Sequence, residues 1–537
     1  MKLEPRMPMK NRCLYILALF AITLILRLIL LGYYNNNFGG IEPNVIYGIQ
    51  RLIMGQPLYQ SPELGTFAIM QYMPLWYYLC SLLARLFQLD YLNVQGIYIV
   101  CRSTALFFNL LTVFVVALNA RRQGYPWKQA LILGMPILIL LTSHYYTRGD
   151  SMHLFLFVTT VYLFINHYHK RNLSTIILLS FTTALCLLTK QSGLLLIGYI
   201  CFCLVFGSSI FLSEKNKQDT TPSPACPASS AGERAGVRPF LAIVIYLTLL
   251  ALFTIIACQL INGGQWHLFY QNAWLGLRNG FSAQILFDLF TSQYYLDFIP
   301  CYLAGGLITW LAIRKIKDQL FRLIATGVLL SFCFALLTGL KKGSSNNYFT
   351  EFLVFILLSL PVLMKSDFAQ SYFIKIRGMR LTYSNTVWVA ILILITSKAI
   401  GLFSIMYIDK SLKNNQAEYN RDLALYNWFT HDLHIDSTTK IYFTERYFLD
   451  NLFINHSIMP TKDVVSQVYE ANTTTYNYTT FMEGINKGMV KYIVTDKKDD
   501  NINQRVKEIP LIYFDPLKFR RIDEKFGFVI YQFIPEE

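Results

Sequence analysis

Charge is what this sequence has least of. Only 15% of its 537 residues are Asp, Glu, Lys or Arg, while 54% are hydrophobic, and soluble domains carry about 25% charged residues. That shortfall excludes an ordinary soluble domain and points to a chain threaded repeatedly through a bilayer. Phosphate-cradling glycine loops are lacking as well: no Walker or dinucleotide-binding pattern occurs, which argues against a nucleotide-driven pump. Cysteine arrives in no usable pattern. Nine of the ten lie in or beside apolar runs and Cys226 lies in a polar loop, so they read as small core residues, with neither disulfide nor zinc spacing. A removable leader is not expected either. Lys2, Arg6, Lys10 and Arg12 precede an apolar run too long for a signal peptide and without a small-residue cleavage site, so the segment reads as a retained anchor.

What is abundant is apolar sequence of spanning length. Runs of roughly 17–25 residues occur at 13–32, 97–119, 129–146, 152–168, 174–189, 192–212, 239–262, 294–313, 321–340, 347–364 and 386–406. The net charge of +15 gathers in short clusters between them: Arg121-Arg122, Lys170-Arg171, Arg314-Lys315-Lys317 and Lys375-Arg377-Arg380. That is a positive-inside signature, not a nucleic-acid-binding face, so no nucleic-acid partner is expected. Counting 71–88 as a further span would put Arg121-Arg122 and Lys170-Arg171 outside. Read instead as a juxtamembrane or re-entrant helix, it leaves every basic cluster in the cytoplasm. The expected architecture is therefore a mainly α, polytopic helical membrane protein of about eleven spans. Residues 1–406 form the transmembrane domain, with a first outer loop at 33–96 and a Ser/Ala/Pro-rich cytoplasmic insertion, read as disordered, at 213–238. Residues 407–537 read as a small α/β extracytoplasmic domain, with strand-like runs at 440–443, 489–496 and 526–533.

The first loop is long, Gly- and Pro-punctuated, and of a kind that is usually functional. It carries Glu42, then R-L-x-x-G-x-P-x-Y from Arg51 and Y-x-P-L-x-Y from Tyr72. Three further polar clusters fall on the same outer side of the topology. One is H-Y-Y-T-R-G-D-S at 144–151, with Arg148 and Asp150. The second is T-K-Q-S at 189–192, where Lys190 and Gln191 interrupt apolar sequence. The third is K-K-G-S-S-N-N-Y-F-T-E at 341–351, with Lys341, Lys342, Asn347, Tyr348 and Glu351. Charge at membrane depth is costly and reads as functional by default. Bland readings exist for each: a solvated loop acid, a helix-end salt bridge, a snorkelling lysine, a polar cap.

Together these motifs resemble the GT-C glycosyltransferases, integral membrane enzymes that take sugars from polyprenyl-phosphate donors and include the protein O-mannosyltransferases and aminoarabinose transferases. The family opens its first loop with an acidic pair; here Ile41-Glu42 stands there. Arg148-Gly149-Asp150 stands where the family usually has Arg-Pro-Asp, and Asn347, Tyr348 and Glu351 follow its N-Y-x-x-E pattern. The resemblance, covering about residues 13–365, implies Glu42 as catalytic base and Arg148, Lys190 and Lys341 or Lys342 on the donor phosphate. Asp150, Gln191, Asn347, Tyr348, Glu351 and Tyr72 would support or bind substrate. It implies transfer, with inversion, to a glycan, lipid or protein acceptor. The site would face the periplasm from a bacterial inner membrane, with the N-terminus cytoplasmic. No cofactor is expected; a divalent cation is only weakly suggested. The rival reading is a lipid or solute transporter or flippase without covalent chemistry, but no repeat relates 13–212 to 239–406. An oligosaccharide polymerase or ligase would be expected to carry a larger late loop than 263–293.

Overall fold

The computed structural model describes residues 9–33, 42–63, 66–140, 147–168, 172–212, 239–278, 280–291, 298–316, 318–341, 346–366, 373–376, 379–404, 412–444, 447–497 and 516–535. The insertion at 213–238 and Lys342 lie outside these residues. In hydrocarbon every backbone N–H and C=O has to be paired within its own segment, so apolar runs become helices. The first is α1 (Met9–Leu31); the first loop then supplies α2 (Glu42–Ile53) and α3 (Pro74–Leu86). The chain continues through α4 (Val94–Arg122), α5 (Trp127–Gly134), α6 (Pro136–Leu140), α7 (Asp150–His167), α8 (Leu173–Thr189), α9 (Leu194–Leu212) and α10 (Pro239–Asn262). A second loop carries α11 (Trp266–Phe269) and α12 (Ala283–Thr291), before α13 (Ile299–Arg314), α14 (Gln319–Gly339), α15 (Thr350–Lys365) and α16 (Tyr383–Ser404). Side-chain caps set several starts: Asn93 accepts from the Gly96 N–H, Asn172 from Thr175 and Asp318 from Phe321, each satisfying a helix-end donor.

The chain is a multi-pass membrane protein. Among the described residues six helices are long and apolar enough to cross a bilayer: Cys13–Leu31, Val94–Arg122, Pro239–Ile261, Gln319–Gly339, Asn347–Lys365 and Tyr383–Ser404. Shorter apolar helices lie at Trp127–Leu140, Leu173–Thr189, Gln191–Phe206 and Ile299–Arg314. Each apolar run read from the sequence meets a helix, with one correction. In the described part of the run 129–146, which ends at Leu140, the helix is interrupted: α5 and α6 part at Met135, before Pro136, which has no N–H to carry the ladder. Gly134 sits hard against α4 at this point, where a Cβ would meet the Val113 carbonyl oxygen at 2.5 Å. Helix α15 is the most enclosed of the six long spans, with 78% of its apolar window buried against 17% for Pro239–Ile261. It runs through the middle of the bundle.

The stretch 71–88 contains only α3, 13 residues long. That is about 20 Å of helix, short of the roughly 30 Å of hydrocarbon, and Trp76 and Tyr77 on it are buried. A reporter fused at Gly124, between α4 and α5, is therefore expected to be cytoplasmic, and one after Asn415 periplasmic. A periplasmic signal at Gly124 overturns the eleven-crossing topology.

Two strand features escaped the sequence. A hairpin of β1 (Phe373–Ile376) and β2 (Met379–Thr382) occupies the basic segment before α16. The C-terminal domain comprises α17 (Leu412–Asn427), β3 (Ile441–Phe443), α18 (Tyr447–Leu452), α19 (Lys462–Ala471), α20 (Thr479–Asn486), β4 (Tyr492–Asp496), β5 (Phe519–Lys525) and β6 (Phe528–Phe533). Its sheet runs β3-β4-β6-β5, with β3 and β4 parallel and the other pairs antiparallel. Strand β5 reads F-R-R-I-D-E-K and hides its nature behind charge, as an edge strand exposed on one side does. It is joined to β6 by Phe526 and Gly527, both at positive φ, the geometry that two-residue hairpin turns favour.

This domain is bolted to the bundle. Asn451 Nδ2 donates to the Pro43 carbonyl (2.9 Å) and to Gln50 Oε1 (3.2 Å), and Gln50 Nε2 returns a bond to the Asn451 carbonyl (2.9 Å). The Ile69 N–H donates to Thr461 Oγ1 at 2.8 Å, the Met459 N–H to the Thr66 carbonyl at 2.6 Å, and Tyr476 donates to the Gln271 carbonyl. The first loop, the second loop and the C-terminal domain thus close one end of the bundle together.

Candidate active site

Glu42 opens α2, where the helix dipole favours a carboxylate. It is not the solvated loop acid of the bland reading: Glu42 is fully buried. Every residue of α2 from Glu42 to Leu52 is buried, because the C-terminal domain lies over it. Glu42 Oε1 accepts the Thr147 N–H at 2.7 Å, and Oε2 is 3.5 Å from Arg102 Nη2. Arg102 donates in turn to the Tyr33 and Leu30 carbonyls and lies 4.9 Å over the Tyr98 ring. The pairing makes both charges tenable inside the protein.

Thr147 is gripped from two sides, its N–H by Glu42 and its carbonyl by Trp76 Nε1 of α3. This grip fixes the residues that follow. A Cβ on Gly149 would sit 3.1 Å from Trp76 Cβ and 3.2 Å from Thr189 Cγ2, so α3, α7 and α8 meet here with no room to spare. Asp150 then begins α7. Its Oδ2 is 3.0 Å from Arg148 Nε and its Oδ1 is 2.6 Å from Lys190 Nζ. Lys190 sits where α8 stops: its backbone is extended, with φ −157° and ψ 141°, before a 3-10 turn at Gln191–Gly193. Among the described residues one carboxylate therefore serves two cations, and these three side chains together carry one positive charge in a nearly buried triad. Burial alone would lower the Lys190 ammonium, but the Asp150 and Glu351 carboxylates and Tyr348 outweigh it and push it up to about 12. Lys190 stays charged at any physiological pH. Its Nζ also lies 5.8 Å from the centre of the Tyr348 ring.

The other residues singled out from the sequence divide. Tyr348 and Glu351 reach the triad from the start of α15, Glu351 buried one turn deeper than Tyr348. Tyr72 lies close to Tyr348 and is half-buried, its carbonyl accepting from Tyr59. Gln191 points elsewhere: its amide is spent on the Gln71 (3.1 Å) and Ala273 (3.3 Å) carbonyls, which staples the two outer loops together. The Asn347 carbonyl accepts from Thr350 Oγ1 at 2.8 Å, inside the turn leading into α15. Lys341 is half-buried at the end of α14, bridged through its backbone to Phe281, and no acid among the described residues pairs with it. Burial pushes its ammonium down to about 8. Among the described residues no three His, Cys, Asp or Glu side chains gather as a metal group, so no residue is assigned to a divalent cation.

Among the described residues, Arg102, His153 and Ser192 also lie in or against this site and were not singled out from the sequence. The signal was present in two of them. Arg102 and His153 are ionisable residues inside apolar spans, and such residues are functional candidates by default.

No protein-family model matches this sequence, and no curated protein sequence does. Solved structures do match. The chain superimposes on ArnT from Cupriavidus metallidurans, bound to undecaprenyl phosphate, with a TM-score of 0.55 at 10% identity, covering 96% of this chain and 97% of that one. The apo form of that protein matches equally. It also superimposes on the Archaeoglobus fulgidus oligosaccharyltransferase AglB, in complex with an inhibitory peptide and a dolichol-phosphate, with a TM-score of 0.50 at 12% identity, covering 93% of this chain and 71% of that one. The buried first-loop helix, the central bundle and the capping C-terminal domain all fall within these superpositions, and the chain has the GT-C fold.

Proposed function

We propose that the chain is a membrane glycosyltransferase that moves a sugar from a polyprenyl-phosphate donor to a cell-envelope acceptor. The observation that carries this reading is the Arg148–Asp150–Lys190 triad, two cations on one acid, held at the capped end of a bundle whose fold neighbour binds undecaprenyl phosphate. An excess positive charge, preorganised and largely shielded from water, suits an anion whose charge grows as the reaction proceeds. The acceptor hydroxyl oxygen attacks the anomeric carbon, and the bond from that carbon to the phosphate oxygen breaks. Polyprenyl phosphate leaves against Arg148 and Lys190, and the hydroxyl proton passes to a carboxylate. Direct displacement inverts the anomeric centre. Glu42 is our assignment for that carboxylate. Its burial sets a condition, since an acceptor hydroxyl reaches the carboxylate only when the packing around Glu42 opens.

The test is release of free polyprenyl phosphate from a panel of sugar-loaded polyprenyl phosphates by purified protein in detergent, with acceptors present. Release supports transfer. Intact glycolipid together with measurable flipping in vesicles favours the transporter reading instead.

Lys341 gives the reading a pH signature. Its ammonium is charged below about pH 8, and an anionic ligand favours the charged form. The phosphate's own second ionisation, near 6, is complete by then. Affinity for a short-chain polyprenyl phosphate is therefore expected to hold level up to about pH 8 and then fall by up to about tenfold per pH unit, the limit for one linked proton. Lys341→Arg, charged throughout, flattens the profile. A wild-type profile level from pH 7.5 to 9.5 removes Lys341 from the phosphate site.

A further inference from the structure

Beneath the triad lies a second polar layer that the proposed chemistry leaves unused. Three elements each contribute one residue to the upper layer and another to the lower. Helix α7 supplies Asp150 and, one turn on, His153. The break between α8 and α9 supplies Lys190 and Ser192, and the entry to α15 supplies Tyr348 and Glu351. In the lower layer His153 Nε2 is 3.0 Å from Glu351 Oε1 and 3.0 Å from Ser192 Oγ, and Ser192 Oγ is 3.1 Å from the same carboxylate oxygen. His153 Nδ1 faces Cys186 of α8, 3.2 Å from Sγ and 3.5 Å from the carbonyl. All four side chains are buried.

Glu351 is close enough to Lys190 to act on it electrostatically. Left without donors, a buried carboxylate takes the nearest cation, because an unpaired charge in such a place is costly. Here that cation is Lys190, and its capture would cancel the excess charge available to a phosphate. Two donors hold the carboxylate instead, the hydroxyl of Ser192 and the ring N–H of His153. With a carboxylate on one side and the Cys186 carbonyl on the other, the ring donates from both nitrogens, Nε2–H to Glu351 and Nδ1–H to the Cys186 carbonyl, and this imidazolium balances the Glu351 charge.

We propose that His153 is a positioning residue for the phosphate site: it holds the Glu351 carboxylate so that Lys190 serves Asp150 and the donor phosphate. This rests on the reading of Arg148 and Lys190 as phosphate ligands. His153 does not touch the lipid. It acts through the charge balance of the layer above it.

The experiment measures binding of a short-chain polyprenyl phosphate, and its release from a sugar-loaded donor, with the full-length protein in detergent. His153→Leu leaves Glu351 only the Ser192 hydroxyl and no balancing charge, and is expected to weaken binding by about tenfold or more. His153→Gln, which can still donate to Glu351 but carries no charge, is expected to weaken binding less than His153→Leu. The double variant His153→Leu/Glu351→Gln removes the loose charge and is expected to recover most of the loss, which a merely structural role for His153 would not produce. Should His153→Leu fail to fold, His153→Asn takes its place, its shorter amide falling short of Glu351, with the same weakening and rescue expected. A folded His153→Leu with wild-type affinity overturns the proposal, and so does a double variant no better than the single. A wild-type protein that binds no polyprenyl phosphate brings down the functional reading and this proposal with it. Binding and release by wild type with no rescue brings down this proposal alone.

Discussion

Glu42→Gln is expected to lower polyprenyl phosphate release by about 10²–10⁴-fold, the range for removing a positioned general base. The change keeps side-chain length and an oxygen to accept the Thr147 N–H, so the turn leading to Arg148 is preserved. It also removes the charge facing Arg102, 3.5 Å away and buried. Breaking one side of a buried pair costs about 3–5 kcal/mol, so thermal stability has to be read beside turnover. Glu42→Gln/Arg102→Met removes both charges and is expected to regain stability without regaining turnover. If the folded variants turn over like wild type, Glu42 is a strut for the Thr147 turn and not the base. Asp150, the acid already in contact with both proposed phosphate ligands, is then the residue to replace, by Asn.

The double character of Glu42 shows what a single sequence can and cannot carry. The acid could be singled out because a charged residue in a patterned loop stands out locally. Arg102, an ionisable residue inside an apolar run, could be singled out as well, but not as the partner of Glu42: it sits 60 residues later, and the two meet only when α2 folds back under α4. The same limit applies to burial of the loop. Tyr47, Gly48 and Gln50 read as polar punctuation until Asn451, some 400 positions away, is seen to close on Gln50 and Pro43. Helix positions were legible because hydrocarbon thickness and basic clusters are themselves local quantities; only the interruption between α5 and α6 at Pro136 went unread. Arg148, Asp150 and Lys190 were each visible as charge at a span end. That one carboxylate serves both cations was not, because salt-bridge geometry between α7 and the end of α8 is a property of packing. His153 shows the opposite case. Its spacing of three from Asp150 put both on one helix face, and the sequence alone could have raised it.

Arg148 separates the enzyme from its bland alternative by the size and kind of the effect. The guanidinium offers paired planar donors that match phosphate oxygens, a geometry an ammonium cannot supply. Arg148→Lys keeps the charge beside Asp150 and loses that geometry; Arg148→Ala loses both. If Arg148 stabilises charge developing on the leaving phosphate, both variants lower turnover, alanine the more, by up to about 10²–10³-fold for one lost donor. If it only pairs with Asp150 at the start of α7, the loss is about 0.3–1 kcal/mol of stability, and Arg148→Lys is close to neutral for turnover. The Asp150 contact sharpens the comparison. In Arg148→Ala the carboxylate keeps Lys190 at 2.6 Å, so the triad falls from two cations on one acid to a neutral pair. The remaining site then has no excess charge to offer a phosphate. Polyprenyl phosphate binding is therefore expected to weaken together with turnover in Arg148→Ala, while Arg148→Lys, which retains the charge, is expected to lose turnover with less loss of binding. Equal binding and equal turnover in all three proteins, with thermal stability lowered slightly in the alanine variant, would return Arg148 to a helix-end ion pair.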